Sequence, residues 1–400
     1  MIKFLGNKKV RFEIDNDDSL STLSADDNIN IETILNKDYI DNNDKNYIHN
    51  FLQTIPKEIN NDNNNNKLNL VLDLDNTLIY SIQFPKISQK KYIYDNTFKI
   101  LFKDMNIETI RLPNEIYVFK FREGLKSFFK ETNKFCNYYI YTASMIYYAE
   151  QIIEKLKKQF KIKIKGIMAN RDLKNRDLYK NLEKINLNSN NSIILDDNCY
   201  AWEKNLSNLL LSKRFFDYQM MNFLYKNYSK EIGKYNFIIQ NKNNHKNLNI
   251  SFGGNQFMNN KKIFFPFSVE SNNFSQRNQL IYLSNLIKKI HYLYFNYQIN
   301  VPMAIKIIRM NIFYNKNFYV SKDFLNYNEL IEMIRYCGGN LVNSIYHNNI
   351  IIIDKDLKDR KDRNIISEEY IYDCYYMLNK FNENDKYYHF DKIIELKEDN

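Results

Sequence analysis

The sequence predicts an α/β fold: a doubly wound parallel sheet, then a helical segment, then a smaller α/β domain towards the C-terminal end. Three observations carry this expectation. Short apolar runs end repeatedly in polar residues: Leu68–Leu72 before Asp73 and Asp75, Asn137–Tyr141 before Thr142, and Ser192–Leu195 before Asp196 and Asp197. Helical patterns alternate with these runs, as they do where helices cover both faces of a parallel sheet. Beyond Ser275 the pattern changes to a long amphipathic stretch, Gln279–Phe295, and then to a second strand–helix alternation.

Four hundred residues at 44% hydrophobic content leave room for two or three domains. Tyr 32 and Phe 28 against Gly 8 and Pro 5 mark a composition drift spread along the whole chain. The net charge of +10 is therefore discounted as lysine bias, though it permits an acidic or phosphorylated partner. Cys136, Cys199, Cys337 and Cys374 stand far apart, so neither a zinc site nor a disulfide framework is expected. A reduced, intracellular chain is the expectation. The charged start, MIKFLGNKKVRFEI, argues against a signal peptide, and no apolar run reaches membrane-spanning length.

Taken in order, residues 1–66 read as a flexible Asn-rich leader with one short helix near Lys45–Thr54, closed by the run NNDNNNN. Residues 67–219 form the first ordered domain. The run Leu68–Leu72 has no gap for a solvent-facing stripe and reads as a strand buried on both faces. A strand insertion is expected over about 84–116, with β-rich patches at 91–94 and 98–102. Then follow a strand at Tyr117–Arg122, a helix at Glu123–Thr132, a strand at Asn137–Thr142, a helix at Met145–Gln159 and a strand at Lys163–Met168. A short helix, Leu178–Ile185, carries Lys180, and Ser192–Asp197 is the last strand. Residues 220–300 read as an insertion and a helical connector. Residues 301–400 form the second domain, with strands at 317–321, 340–345, 349–354 and 364–367 and helices at 326–337 and 368–380. Gly338-Gly339 is expected to end the first of these helices.

Carboxylates at the carboxyl ends of buried strands lie where open α/β sheets place their ligands. An aspartate there can act as a nucleophile towards phosphorus, or it can belong to a surface turn that happens to be acidic. A second aspartate two residues on can protonate a leaving oxygen and then deprotonate the attacking water. Asp73, Asp75, Asp196 and Asp197 gathered in one cleft would repel one another and raise their pKa values. Cations must offset this, and Lys180, Arg122 and a hard cation such as Mg²⁺ fit. These strand ends and the Leu178–Ile185 segment contain no His or Cys, which argues against zinc.

Asp73–Thr77 (DLDNT), Thr142 after an apolar strand, Lys180 and the Asp196-Asp197 pair resemble the haloacid-dehalogenase superfamily in residue type and order. Within it, DLDNTL, FREGL, YTAS, the ANRD of Ala169–Asp172, YKNLEKI and ILDDNCYAW resemble the phosphatases that act on the C-terminal domain of RNA polymerase II. Trp202 after the aspartate pair resembles their BRCT-bearing branch. Gly338-Gly339, then Tyr370 and Cys374, resemble a single BRCT domain. Arg122-Glu123-Gly124 departs from the family's usual Arg-Pro-Gly.

The resemblance implies Asp73 as nucleophile and Asp75 as general acid, then base, with Thr142, Lys180 and Arg122 serving the phosphoryl group. It implies Mg²⁺ on the Asp73 and Asp197 side chains and the Asp75 carbonyl, with Asp196 orienting Lys180. It further implies phosphoserine in the phosphorylated C-terminal domain of RNA polymerase II as substrate, a nuclear location, general transcription factor IIF as a candidate partner, and no direct nucleic-acid or membrane binding. Two alternatives stand beside it: the same chemistry on another phosphoprotein or small ester, and a BRCT-based scaffold with a vestigial phosphatase fold. A phosphopeptide pocket around Ser321 with Lys358 or Lys361 is a further, narrower expectation.

Overall fold

The computed structural model describes residues 41–56, 66–85, 106–113, 115–170, 179–217, 220, 272–345, 350–354, 365–378 and 380. The first described element is helix α1 (Asn42–Gln53), opened by a capping box in which Asp41 and Asp44 exchange backbone and side-chain bonds. Then come β1 (Leu68–Leu72), β2 (Ile79–Pro85), β3 (Glu108–Arg111), β4 (Glu115–Phe121), α2 (Leu125–Thr132), β5 (Cys136–Met145), α3 (Ile146–Phe160), β6 (Ile164–Asn170), β7 (Ser192–Asp196) and β8 (Leu209–Leu211).

Five of these strands form a parallel sheet in the order β6-β5-β1-β7-β8. The central strand β1 holds Leu68, Leu70, Val71 and Leu72 fully buried, as its unbroken apolar run requires. Helix α3 buries Ala149, Ile152, Ile153 and Leu156 along one stripe. The segment after β1 carries β2, β3 and β4 into a separate three-stranded antiparallel sheet, ordered β2-β4-β3. Of its strands only β3 lies wholly within the expected insertion at about 84–116; the patches at 91–94 and 98–102 lie outside the described residues, as does most of 220–271.

The long helix α4 (Asn272–Tyr297) buries Leu280, Leu283, Ile287, Ile290 and Leu293. It lies against α2, with Lys288 Nζ 2.7 Å from Glu131 Oε2. Helix α5 (Val301–Met310) follows, capped by Asn300, whose side chain accepts from the Met303 amide at 3.0 Å. Beyond it, β9 (Asn317–Val320), α6 (Tyr327–Tyr336), β10 (Asn340–Leu341), β11 (Ile350–Ile353), β12 (Ile365–Ile366) and α7 (Glu369–Met377) build a second parallel sheet, β10-β9-β11-β12. Tyr370 and Cys374 are buried on α7, and the Tyr370 ring stacks on Phe313. Among the described residues no helix is long and apolar enough to cross a membrane.

The structure departs from the sequence reading in three places. Lys180 does not ride on a helix: it precedes a single 3-10 turn, Leu182–Ile185, and its amide bonds the Ala201 carbonyl at 2.6 Å. Helix α5 was not expected, because only Lys306 and Arg309 mark its outer face and the stretch Val301–Met310 is otherwise apolar. Part of the leader is an integral element. Helix α1 docks through Lys45 on Asn340 (2.9 Å), His49 on Asn311 (2.7 Å) and a Phe51–Tyr297 edge contact. Its polar sequence hides this, since most of those contacts are hydrogen bonds. Of the narrower phosphopeptide expectation, Ser321 donates to Asp323 at 3.0 Å, and Lys358 and Lys361 lie outside the described residues.

Gly338 ends α6 with φ +82°, and a Cβ there would lie 1.8 Å from the Met310 carbonyl oxygen. Gly338→Ala should therefore cost on the order of 2 kcal/mol or more, combining a strained φ with a backbone clash. Thermal denaturation of the two proteins checks this, and an unchanged midpoint would contradict it.

Candidate active site

The site forms where β1 and β7 end side by side. Their parallel register sets Leu72 against Leu195, so Asp73 emerges beside Asp196 and its amide donates to the Leu195 carbonyl at 3.0 Å. Carboxylate oxygens of Asp73, Asp196 and Asp197 lie within 4.8 Å of one another, and all three residues are buried. Lys180 Nζ sits 2.6 Å from Asp73 Oδ1 and 2.6 Å from Asp196 Oδ2. Asp196 also accepts from Trp202 Nε1 at 2.8 Å and from the Asn198 amide at 2.8 Å, so its oxygens are committed to holding Lys180 and the turn after β7.

Asp197 is gripped from two sides. The Thr77 hydroxyl receives the Asp197 amide at 3.0 Å and faces Oδ1 at 3.3 Å, while Arg214 Nε donates to Oδ2 at 2.8 Å. Asp75 stands apart from this charged cluster and is held by hydroxyls. Ser144 Oγ donates to Oδ2 at 2.6 Å; Tyr148 and Ser81 approach Oδ1 at 2.6 and 3.0 Å. Thr142 is buried at the end of β5 and accepts the Ser144 amide at 3.1 Å, which leaves its hydroxyl hydrogen for a ligand.

Electrostatics follow from burial. Desolvation, then repulsion from Asp196, pushes the Asp73 carboxyl well above the usual carboxylate range, against the pull of Lys180. Desolvation and Asp196 likewise push Asp197 up to about 6, opposed by Arg214. Burial works against the charge of Lys180, but Asp196 and Asp73 outweigh it and hold the ammonium above its ordinary value. Desolvation and then Asp75 keep the Tyr148 hydroxyl protonated, so it remains a donor. A cluster of buried carboxylates this close favours a cation, and its donors are all oxygen. That set suits a hard divalent ion, with Asp73, Asp196 and Asp197 within reach of one another and Asp196 the most heavily engaged by protein donors.

The structure thus brings together Asp73, Lys180, Asp196 and Asp197, with Asp75 and Thr142 at the adjoining strand ends. It gives Arg122 a different place. The Arg122 guanidinium is buried and donates to the Thr77 carbonyl (3.1 Å), Ser212 Oγ (2.6 Å), the Lys213 carbonyl (3.1 Å) and Gln279 Oε1 (2.7 Å). Burial lowers its pKa to about 10, so it stays charged at neutral pH while its Nη1 and Nη2 atoms face protein oxygens. The sequence reading counts it among the cations that offset the four carboxylates. It missed Thr77, Ser144, Tyr148 and Arg214; Thr77 and Ser144 lie inside motifs already singled out, whereas Tyr148 and Arg214 become visible only once the fold is known.

Residues 68–235 match the model of the NLI interacting factor-like phosphatase family, and residues 311–382 match a BRCT domain. Two solved structures are similar. One is Fcp1, an essential RNA polymerase II CTD phosphatase, at 14% identity and a TM-score of 0.51, covering 80% of this chain and 95% of that one. The other is a fission yeast Fcp1 variant bound to beryllium fluoride, at 13% identity and a TM-score of 0.50 with the same coverage. At such identities the likeness establishes the fold, and with the family matches it supports the α/β phosphatase domain followed by BRCT that the sequence motifs suggested.

Ionising Asp197 costs the metal-free fold, because its carboxyl titrates near 6 when buried against 3.8 when free. Between those values the folded state holds the extra proton, so metal-free stability contributed by this group falls as pH rises. A divalent ion needs the carboxylate. The rise in melting temperature produced by Mg²⁺ should therefore be small below pH 5 and full above about pH 7, as thermal melts across that range would record. A pH-independent Mg²⁺ effect would contradict the assignment of Asp197 as a ligand.

Proposed function

We propose, for a chain that belongs to the haloacid-dehalogenase-like phosphatases bearing a C-terminal BRCT domain, that it is a Mg²⁺-dependent protein serine phosphatase acting on the phosphorylated C-terminal domain of RNA polymerase II. The observation that carries this is the contrast between two aspartates two residues apart. Asp73 sits in the charged cluster with Lys180 at 2.6 Å, while Asp75 is held by neutral hydroxyls. Different surroundings give neighbouring carboxyls different roles.

In this reading Asp73 attacks the phosphorus of phosphoserine, and the bond to the serine oxygen breaks as that oxygen takes a proton from Asp75. Asp75, now a carboxylate, removes a proton from water. The water oxygen attacks the aspartyl-phosphate, which frees inorganic phosphate and restores Asp73 with Asp75 again protonated. Ser144, Tyr148 and Ser81 fix the orientation of Asp75 through both steps. Lys180 and the Thr142 hydroxyl supply donors to the phosphoryl oxygens, and Asp196 keeps Lys180 in place through a bond of 2.6 Å. Mg²⁺ held by Asp73 and Asp197 would neutralise negative charge as it builds on the phosphoryl group.

The likeness to the Fcp1 enzymes supports this substrate, and the substrate in turn favours a nuclear location. General transcription factor IIF enters only through the same family resemblance. The intact set of Asp73, Asp75, Thr142, Lys180 and Asp197 favours catalysis over a scaffold with a vestigial site.

Phosphate release from singly phosphorylated heptad peptides tests the reading. Asp73→Asn should abolish turnover, and chelation of Mg²⁺ should do the same. Asp75→Asn should slow hydrolysis of phosphoserine by about 10²–10⁴-fold, and that of an aryl phosphate less, because a phenolate leaves without help. Wild-type protein active on the aryl phosphate and inert on every heptad peptide would overturn the substrate while leaving the chemistry.

A further inference from the structure

The strip Ser212–Phe215, which leaves β8, runs between the two domains and touches both. The Ser212 amide bonds the Asp196 carbonyl at 2.8 Å, and the Phe215 amide bonds the Asn76 carbonyl at 2.6 Å, so the strip is stitched to the loops after β7 and β1. Between those stitches its side chains diverge. Lys213 Nζ forms a buried ion pair with Asp373 on α7 of the BRCT domain. Arg214 Nε reaches the other way, to Asp197 Oδ2. Gln279 of α4 clamps the same strip: its Oε1 accepts from the Lys213 amide at 2.9 Å and from Arg122 at 2.7 Å. Arg122 in turn holds the carbonyls of Lys213 and Thr77. Both groups that grip Asp197, Thr77 and Arg214, are therefore tied to one buried bracket whose outer anchor lies in the BRCT domain.

We propose that Asp373, Lys213 and Arg122 are positioning residues that transmit docking of the BRCT domain to Asp197. The inference rests on the metal-site reading of Asp197 given above and adds that the site is complete only when the second domain is seated. A hydrogen-bonded ion pair is directional, and a buried one is costly to leave half-made, so Lys213 has one favourable position and fixes Arg214 beside it. Partners of metal ligands typically change metal affinity 10–100-fold when removed.

The test is Mg²⁺ titration by calorimetry on the full chain, with kcat and KM for a small aryl phosphate as a second readout. Asp373→Asn should weaken Mg²⁺ binding about 10-fold and lower kcat with little change in KM, although Asp373 belongs to neither the cleft nor its walls. Arg214→Ala should do the same. Combining the two should cost little more than the worse of them alone, because both break one connection. Folded Asp373→Asn with wild-type Mg²⁺ affinity, or full additivity of the two changes, would overturn the proposal. Should Asp373→Asn fail to fold, the double replacement Lys213→Met with Asp373→Leu removes the unpaired charge. It should fold and still bind Mg²⁺ weakly; wild-type affinity there would likewise overturn the proposal. Because the titration contains no phosphopeptide, failure of the polymerase substrate and failure of this connection register in different experiments.

Discussion

Three carboxylates confined within 4.8 Å under cover of the fold are the constraint that the surrounding structure answers. Two neighbouring parallel strands must end together to put them there, which requires β1 at the centre of the sheet with both faces covered. Their mutual repulsion then dictates the company they keep. Lys180 spans two of them, Arg214 takes the third, and Trp202 and the Asn198 amide complete Asp196. Burial makes each of these bonds matter more, since water is not there to share the charge. The same burial leaves a residual deficit of positive charge that an added cation and a phosphoryl ligand can balance between them.

Asp75 shows the opposite solution at a distance of two residues. Hydroxyls from β2, β5 and α3 converge on it. Neutral donors fix the Asp75 carboxyl in space, whereas Asp73 faces an ammonium at 2.6 Å. Sequence neighbours thus reach unlike environments because the strand ends between them and the chain turns at Asn76, whose φ of 60° falls in the left-handed region that asparagine tolerates.

The fold of the first domain was legible because buried parallel strands write themselves as unbroken apolar runs, and the strand ends marked Asp73, Thr142 and Asp196 directly. Lys180 was found by its order in the chain, but its helix was not real: a side chain that must bridge two carboxylates is held by an extended segment pinned to Ala201. Arg122 misled because a charged residue at a strand end looks the same whether it faces a ligand or braces the fold; only its partners Ser212 and Gln279, 90 and 157 residues away, separate the two. Helix α1 was read near Lys45–Thr54, but its docking was not, because most of its contacts are hydrogen bonds to distant residues; helix α5 was not read at all.

The ion pair between Lys213 and Asp373 joins residues 160 apart in sequence. During synthesis at roughly 5–20 residues per second, Lys213 emerges on the order of ten seconds or more before its partner exists. For that interval the Asp373 carboxylate that the finished fold sets against the Lys213 ammonium does not yet exist. This contact between the domains can form only after α7 has been made, which places it among the late steps of assembly.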